Sequence, residues 1–209
     1  EAAPEAAPFA LLAPGARDRL PDDVEDAYPA SRVQLAMLYH TERAPDSFIY
    51  LNLNGYRVRS AWDEAAMREA LRRLAARHAV LRTSFDLGSF SEPLQLVHAT
   101  AEVDVNVHDL RGLSVARQEA IVDAAVDAEK RRHFDISRAP LVRFLIHRRT
   151  DDSYQFTLTD AHLILDGWSV SSMLAEIFER HFALLDGREV VEESPNTSTF
   201  RDFVQLERQ

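Results

Sequence analysis

Apolar residues recur along this chain with two different periods. Between residues 48 and 58, Ile49, Leu51 and Leu53 alternate with polar residues, a period of two that predicts a half-buried strand. Later in the chain the spacing changes to three and four residues, which predicts an amphipathic helix that stops at Gly187, a suitable C-terminal cap. The apolar stripe of that helix consists of Val170, Met173, Leu174, Ile177, Phe178 and Leu185.

Turn and capping residues delimit the other predicted elements. Ser31, with Gln34 three residues later, resembles a capping box and predicts a helix through about Tyr39. Further helices are predicted from Ser60 or Asp63 to about Arg77, and from Ser114 to near His133. Strands are predicted at residues 81–85, 94–98, 103–107, 141–147 and 154–159, the last two forming a hairpin turned at Asp151-Asp152. Mixed strands and long helices without internal repeats indicate an α/β sandwich.

Composition excludes several classes of protein. Hydrophobic residues make up 46% of the 209 positions, which is enough to bury a sizeable core. The net charge is −10 and no Lys/Arg-rich run occurs, so we expect no nucleic-acid partner. The apolar runs are too short to cross a bilayer, and we expect no membrane association. The absence of cysteine rules out disulfides and a thiol nucleophile, and it agrees with a cytoplasmic location.

The N-terminal segment has the composition of a linker. Its first eight residues are acidic and rich in alanine and proline, and they lack the basic and apolar regions of a signal peptide. We therefore predict a linker at residues 1–20 and a folded domain at residues 21–209. A linker that begins so abruptly suggests a piece of a longer, multidomain chain.

One short segment carries candidate chemistry. Ala161-His162-Leu163-Ile164-Leu165-Asp166-Gly167, followed by Trp168-Ser169, lies between a predicted strand and a predicted helix. An imidazole and a carboxylate in such a turn can be directed at a substrate, although a lone histidine at a strand end is more often a core residue. A third metal ligand at suitable spacing is not evident, so no metal is expected. Ser169 lacks the glycine elbow of hydrolases, and a helix N-cap explains it better.

Several motifs, in order along the chain, resemble those of one enzyme family. His162-x-x-x-Asp166-Gly167 is similar to the HHxxxDG signature of the chloramphenicol acetyltransferase-like superfamily. Residues 77–85 are similar to the RHxxLRTxF motif of nonribosomal peptide synthetase condensation domains, and residues 28–40 to the opening motif of those domains. Residues 134–143 and 200–204 resemble two further motifs of the same half. The resemblance implies a chloramphenicol acetyltransferase-like sandwich, a single N-terminal lobe of a normally two-lobed domain whose C-terminal lobe is absent here.

The resemblance also implies roles for individual residues. His162 matches the second histidine of the signature, the residue that accepts or hydrogen-bonds the proton of the attacking amine. Asp166 is implied to fix the loop through an ion pair with Arg77 or Arg82, between which the sequence does not choose. Gly167 would let the backbone approach the reacting centre because it has no Cβ. Trp168 and Ser169 would lie along the substrate tunnel, with Trp168 in the core or lining that tunnel.

The implied activity is acyl transfer that forms an amide bond between two carrier-bound substrates. One substrate is an acyl or peptidyl thioester and the other is an aminoacyl thioester with a free amine. The chain has no carrier attachment sequence, so the phosphopantetheine arms would arrive on donor and acceptor carrier proteins or domains, and the chain itself would bind no cofactor. Neighbouring synthetase domains, including the second lobe, are further implied partners, and the isolated lobe is expected to be inactive.

Ala161 stands where the family has its first histidine. Residues 161 and 162 point to opposite faces of a regular strand, so only one can face the tunnel. We therefore expect Ala161 to cost packing and loop rigidity more than the proton acceptor. Two alternatives remain: a noncatalytic domain that docks carrier proteins or a tailoring enzyme, and an epimerisation domain, which shares the signature.

Overall fold

The computed structural model describes residues 7–44, 47–190 and 198–209. The strands are β1 (Val24–Pro29), β2 (Leu51–Arg59), β3 (Thr83–Asp86), β4 (Leu94–His98), β5 (Asp104–Asp109), β6 (Val142–Thr150) and β7 (Ser153–Ala161). The helices are α1 (Arg32–Arg43), α2 (Glu64–Arg77), α3 (Val115–Glu129), α4 (Gly167–Leu185) and α5 (Phe200–Glu207), with short 3-10 turns at Arg17–Arg19 and Ala79–Arg82. No helix in these ranges combines the length and apolar composition that a membrane span requires.

The strands form two sheets, so the fold is a mixed α/β sandwich, as predicted. A four-stranded sheet has the order β2-β7-β6-β5, in which β5 and β6 are parallel and the other neighbours are antiparallel. A three-stranded antiparallel sheet has the order β1-β4-β3. The parallel pair is possible because α3 lies between β5 and β6 in the chain and returns it to the same end of the sheet.

The main core lies where α2 and α4 pack against the four-stranded sheet. Leu71 and Leu74 of α2 and Ile177 of α4 are buried against Phe156 and Leu158 of β7. Strand β7 is central and covered by this layer, and seven of its nine residues are buried, including the polar Thr157, Thr159 and Asp160. The end of β7 is therefore held by neighbouring strands on both edges and by helices over one face.

Most of the long helices begin at the capping residue that the sequence predicts. Ser31 and Gln34 form the predicted capping box of α1, which continues beyond the predicted end to Arg43. Of the two predicted caps of α2, Asp63 is the one that forms, because its carboxylate accepts from the Ala66 N–H. Ser114 caps α3, which ends at Glu129 rather than near His133.

The hairpin and the end of α4 also follow the prediction. Thr150 pairs with Ser153, so β6 and β7 turn through Asp151 and Asp152. Helix α4 ends two residues before Gly187, whose φ of +64° is the left-handed conformation that favours glycine at a helix C-terminus.

The predicted linker at residues 1–20 needs correction over its described part. Phe9, Leu12 and Leu20 pack against the buried face of the three-stranded sheet, and the Phe9 N–H donates to Asp26 Oδ1 at 2.8 Å. Apolar side chains that gain burial in this way hold the segment against the domain. The linker prediction is therefore wrong for residues 7–20, and residues 1–6 lie outside the described part of the chain.

Candidate active site

The candidate site lies at the corner between β7 and α4. The His162 N–H donates to Tyr50 O at 2.8 Å, which extends the ladder between β7 and β2 by one residue. The Ile164 N–H then donates to Ala161 O at 3.1 Å and closes a turn. Because both strand and turn hydrogen bonds hold this corner, the side chains on it have a fixed direction.

Ala161 and His162 point to opposite sides of the sheet, as the alternation predicts. Ala161 is buried in an apolar cluster with Leu38 and Phe85, and it borders a small cavity of about 60 Å³. His162 lines a separate cavity of about 770 Å³ on the other side. The alanine therefore lies away from the space that His162 faces.

The ring of His162 is held through one nitrogen. Nδ1 lies 2.7 Å from the carbonyl oxygen of Leu165 and 3.3 Å from Nδ2 of Asn52. A carbonyl oxygen can only accept, so Nδ1 carries the proton that is donated to Leu165. Nε2 has no hydrogen-bond partner within the described part of the chain, and it is not among the buried unpaired atoms. In the neutral ring Nε2 therefore presents a lone pair that can accept a proton.

A second carboxylate lies behind this histidine. Asp160 is fully buried on the central strand, and its Oδ2 accepts a hydrogen bond from Asn52 Nδ2 at 3.0 Å. Burial raises the pKa of the Asp160 carboxyl to about 6, while the hydrogen bond from Asn52 and the charge of His162 act in the opposite direction. The sequence alone did not assign either residue to the site, although both lie on the strand face that His162 continues.

Asp166 forms the N-cap of α4. Its Oδ1 accepts a hydrogen bond from the Ser169 N–H at 2.7 Å. Hydrogen bonding with Ser169 lowers the pKa of the Asp166 carboxyl. The prediction that Ser169 caps the helix is therefore wrong, because Ser169 supplies the N–H and Asp166 the acceptor. The carboxylate fixes the loop by capping the helix.

The predicted ion pair of Asp166 with an arginine is also wrong for this structure. Arg77 pairs with Glu176 of α4 at 3.2 Å, and Arg82 pairs with Glu25 at 2.6 Å. Arg82 further donates from Nε to Ala75 O at 2.9 Å, so it ties the end of α2 to β1. Both arginines are committed to carboxylates brought to them from other elements.

Glu176 gathers a polar cluster on the wall of the larger cavity. Its Oε2 accepts from His78 Nε2 at 2.7 Å. Its Oε1 forms ion pairs with Arg77 and with Arg180, which lies one turn further along α4. His78 and Glu176 both line the cavity. This cluster was missed because a pair such as Arg77 and Glu176, 99 positions apart, gives no local sequence signal.

The remaining predicted site residues, Gly167, Trp168 and Ser169, differ in exposure and in their relation to this cavity. Trp168 is 83% exposed, which excludes the core, one of the two positions predicted for it. Trp168 and Ser169 both line the cavity. Gly167 is the first residue of α4, and a Cβ built on it would meet no atom of the described residues within 4 Å. Packing within this part of the chain therefore does not require a glycine there.

The larger cavity is bounded by helices and by the corner itself. Its exposed wall is mainly apolar, although about half of its lining residues are polar, and several of its apolar side chains are solvent-exposed. The lining includes Val33 and Met37 of α1, Leu81, His162, Ile164, Trp168, Met173 of α4, and Phe200 and Phe203 of α5. A mainly apolar concavity with a few convergent polar groups is the usual form of a small-molecule site.

Comparison with known proteins assigns the chain to a family. A family model described as "Condensation domain" matches residues 24–209. AMB antimetabolite synthetase AmbE of Pseudomonas aeruginosa is 36% identical over 204 residues, which is 97% of this chain and 10% of that protein. Bacitracin synthase 3 of Bacillus licheniformis is 30% identical over 159 residues, which is 76% of this chain and 2% of that protein. The chain thus spans a tenth or less of the length of these relatives.

Solved structures agree on the fold. The starter condensation domain of rhizomide synthetase RzmA has a TM-score of 0.76 at 17% identity, and the match covers 88% of this chain and 45% of that chain. The first condensation domain of the CDA synthetase has a TM-score of 0.77 at 17% identity, with the same coverage of 88% and 45%. At these identities the likeness concerns the fold, and it extends over less than half of each matched domain.

Proposed function

Because the chain belongs to the condensation-domain family of nonribosomal peptide synthetases, we propose that it forms one half of an amide-forming active site. The substrates would be an acyl or peptidyl thioester and an aminoacyl thioester with a free amine. The observation that carries this proposal is the position of His162, whose Nε2 is free to accept a proton at the wall of a cavity of about 770 Å³. The signature residues Asp166 and Gly167 lie at the same corner.

Positioning supplies most of the rate in this proposal. Holding an amine and a thioester in attack geometry can be worth roughly 7–11 kcal/mol. Once the open side is covered, the cavity would exclude water from competing with the amine. The rigid corner keeps the imidazole at a fixed place. A single base adds less, roughly 10² to 10⁴ in rate.

His162 handles one proton in the proposed reaction. The amine nitrogen forms a bond to the thioester carbonyl carbon, and the carbon–sulfur bond breaks. The proton lost by the amine nitrogen passes to His162 Nε2, and from there to the sulfur of the leaving thiolate. Nδ1 keeps its proton throughout, because its hydrogen bond to Leu165 O at 2.7 Å favours that tautomer.

The open side of the cavity indicates where partners would bind. Three of the apolar residues that border it are largely exposed to solvent: Val33 by 58%, Phe203 by 49% and Trp168 by 83%. Such surface around a cavity is typical of an interaction site, and the remainder of the domain would cover it. The substrates would be delivered on phosphopantetheine arms of donor and acceptor carrier domains, and this chain would contribute no resident cofactor.

The proposal is tested in the synthetase that carries this domain, with both carrier domains loaded. His162→Ala is expected to lower amide formation, measured by mass spectrometry of the product thioester, by roughly 10² to 10⁴. His40→Ala is the matched control, since His40 is exposed on α1 and does not line the cavity. Carrier binding without any amide product would overturn the proposal in favour of a docking module. Inverted stereochemistry of the bound residue would overturn it in favour of epimerisation.

A further inference from the structure

Asp160 and His162 lie on the same face of one strand. Side chains two residues apart on a strand point the same way, and the His162 N–H bond to Tyr50 O continues the strand pairing past Ala161. Asn52 lies directly opposite Asp160 in the β2–β7 register. The three side chains therefore form one group across two adjacent strands.

The Asp160 carboxylate is incompletely satisfied. Its Oδ2 accepts from Asn52, but its Oδ1 is buried and accepts no hydrogen bond from any described residue. A buried carboxylate that lacks a cationic partner and a full set of donors is costly to maintain. A protonated His162 is the positive charge that acts on it.

Other charged groups near His162 differ from Asp160 in exposure or in pairing. Asp166, at the start of α4, is exposed and caps that helix. His78 and Glu176 line the same cavity, but they are paired with each other. Asn52, on the neighbouring strand, is neutral. Among these groups Asp160 is the buried carboxylate that is free to compensate a charge on the imidazole.

We infer that Asp160 is the counter-ion of the imidazolium that His162 forms on accepting a proton, and that Asn52 holds its carboxylate in place. Asp160 and Asn52 are positioning residues, since neither lines the cavity in which the substrates would meet. This inference rests on the proposed function and deepens it, because it assigns the group that stabilises the charged intermediate state of the base.

The chemistry is a matter of charge compensation. When the amine proton moves to Nε2, the ring gains one positive charge while Asp160 remains ionised. Asp160 is fully buried, so its charge is screened less than a carboxylate in water, and its attraction for the imidazolium is correspondingly stronger. When the proton leaves for the thiolate sulfur, the ring is neutral again and the carboxylate is unchanged.

The inference is tested by nuclear magnetic resonance on this chain, without any requirement for amide formation. The His162 ring is titrated in the wild type, in Asp160→Asn and in Asp166→Asn. Asp160→Asn is expected to move the His162 midpoint to lower pH, because the buried negative charge is gone. Asp166→Asn keeps a capping residue and is expected to cause a smaller shift, because water screens that exposed carboxylate.

A reciprocal experiment covers the case in which Asp160→Asn does not fold. In His162→Gln the Asp160 carboxyl, followed by its carbon chemical shift, is expected to titrate at higher pH than in the wild type, since coupling between two sites is mutual. An unchanged His162 midpoint in folded Asp160→Asn, or an unchanged Asp160 titration in His162→Gln, overturns the inference. Loss of amide formation in His162→Ala with no coupling to Asp160 would retain the proposed function and reject only this inference.

Discussion

Asn52 Nδ2 donates to Asp160 Oδ2 at 3.0 Å across two adjacent strands, and the buried carboxylate receives no other hydrogen bond from the described residues. A carboxylate whose pKa is raised by burial favours folding in its protonated form. The stability that the Asp160 carboxyl contributes is therefore fully present below its pKa in the unfolded chain, near 3.8. This contribution is lost as the pH rises through about 6, the pKa in the folded chain.

Asp160→Asn is accordingly expected to stabilise the chain at neutral pH. The neutral amide removes the cost of a buried charge, which amounts to up to about 3 kcal/mol above pH 6. Urea denaturation at pH 7.5 and pH 3.5 measures the difference. A variant that is less stable than the wild type at pH 7.5 would show that Asp160 serves packing rather than function.

Arg201 on α5 forms an ion pair with Asp26 on β1, and both side chains are largely buried. Arg201→Ala is expected to lower the free energy of unfolding by about 3 kcal/mol, because it leaves the Asp26 charge buried without its cation. Arg188→Ala is the control, since its pair with Asp186 is exposed on both sides and its loss changes stability by no more than about 0.5 kcal/mol. Equal effects of the two substitutions on urea denaturation would contradict this explanation of how α5 is held.

His147 makes the free energy of unfolding depend on pH in the mildly acidic range. It is 1% exposed, and burial, with the nearby His108 and Arg149, lowers its pKa to about 4. The unfolded chain then binds more protons, so stability is present above pH 6.5 and is lost as pH falls towards 4. His147→Gln has no imidazole to titrate. As the pH falls across that interval, its free energy of unfolding is expected to rise relative to that of the wild type by on the order of 3 kcal/mol. A pH-independent difference between the two proteins in urea denaturation would refute this assignment.

Gly167→Ala separates the needs of folding from those of the reaction. The added Cβ meets no described atom, so the free energy of unfolding is expected to change by less than about 0.5 kcal/mol. Amide formation by the whole synthetase is expected to fall, because the methyl group would stand where the proposed substrates approach the corner. Gly88→Ala is a matched control at another unobstructed glycine, in the connection between β3 and β4 rather than at the corner that carries His162. Equal activity of both variants would remove Gly167 from the site.

Local patterns predicted much of the fold. Alternation and capping residues depend on neighbours in the chain, which is why Ser31, Ser114 and the hairpin at Asp151-Asp152 were predicted correctly. Alternation likewise placed Ala161 and His162 on opposite faces of the sheet. These features are decided by a few residues at fixed spacing.

Contacts between distant segments could not be predicted in this way. Asp166 was expected to pair with an arginine, but Arg77 is taken by Glu176 and Arg82 by Glu25. Which carboxylate reaches each arginine depends on how α4 and β1 pack, and sequence spacing does not encode that packing. Asp160 was missed for the same reason, since its burial and its contact with Asn52 arise only when β2 and β7 pair.

The central claim is that His162 can serve as the base while alanine occupies position 161. Its most direct test is the single-turnover rate of amide formation by the loaded synthetase in the wild type, Ala161→His and His162→Gln. We expect product from the wild type, a change of no more than about tenfold in Ala161→His, and a loss of roughly 10² to 10⁴ in His162→Gln. A wild type that forms no amide, together with activity gained in Ala161→His, would contradict the claim.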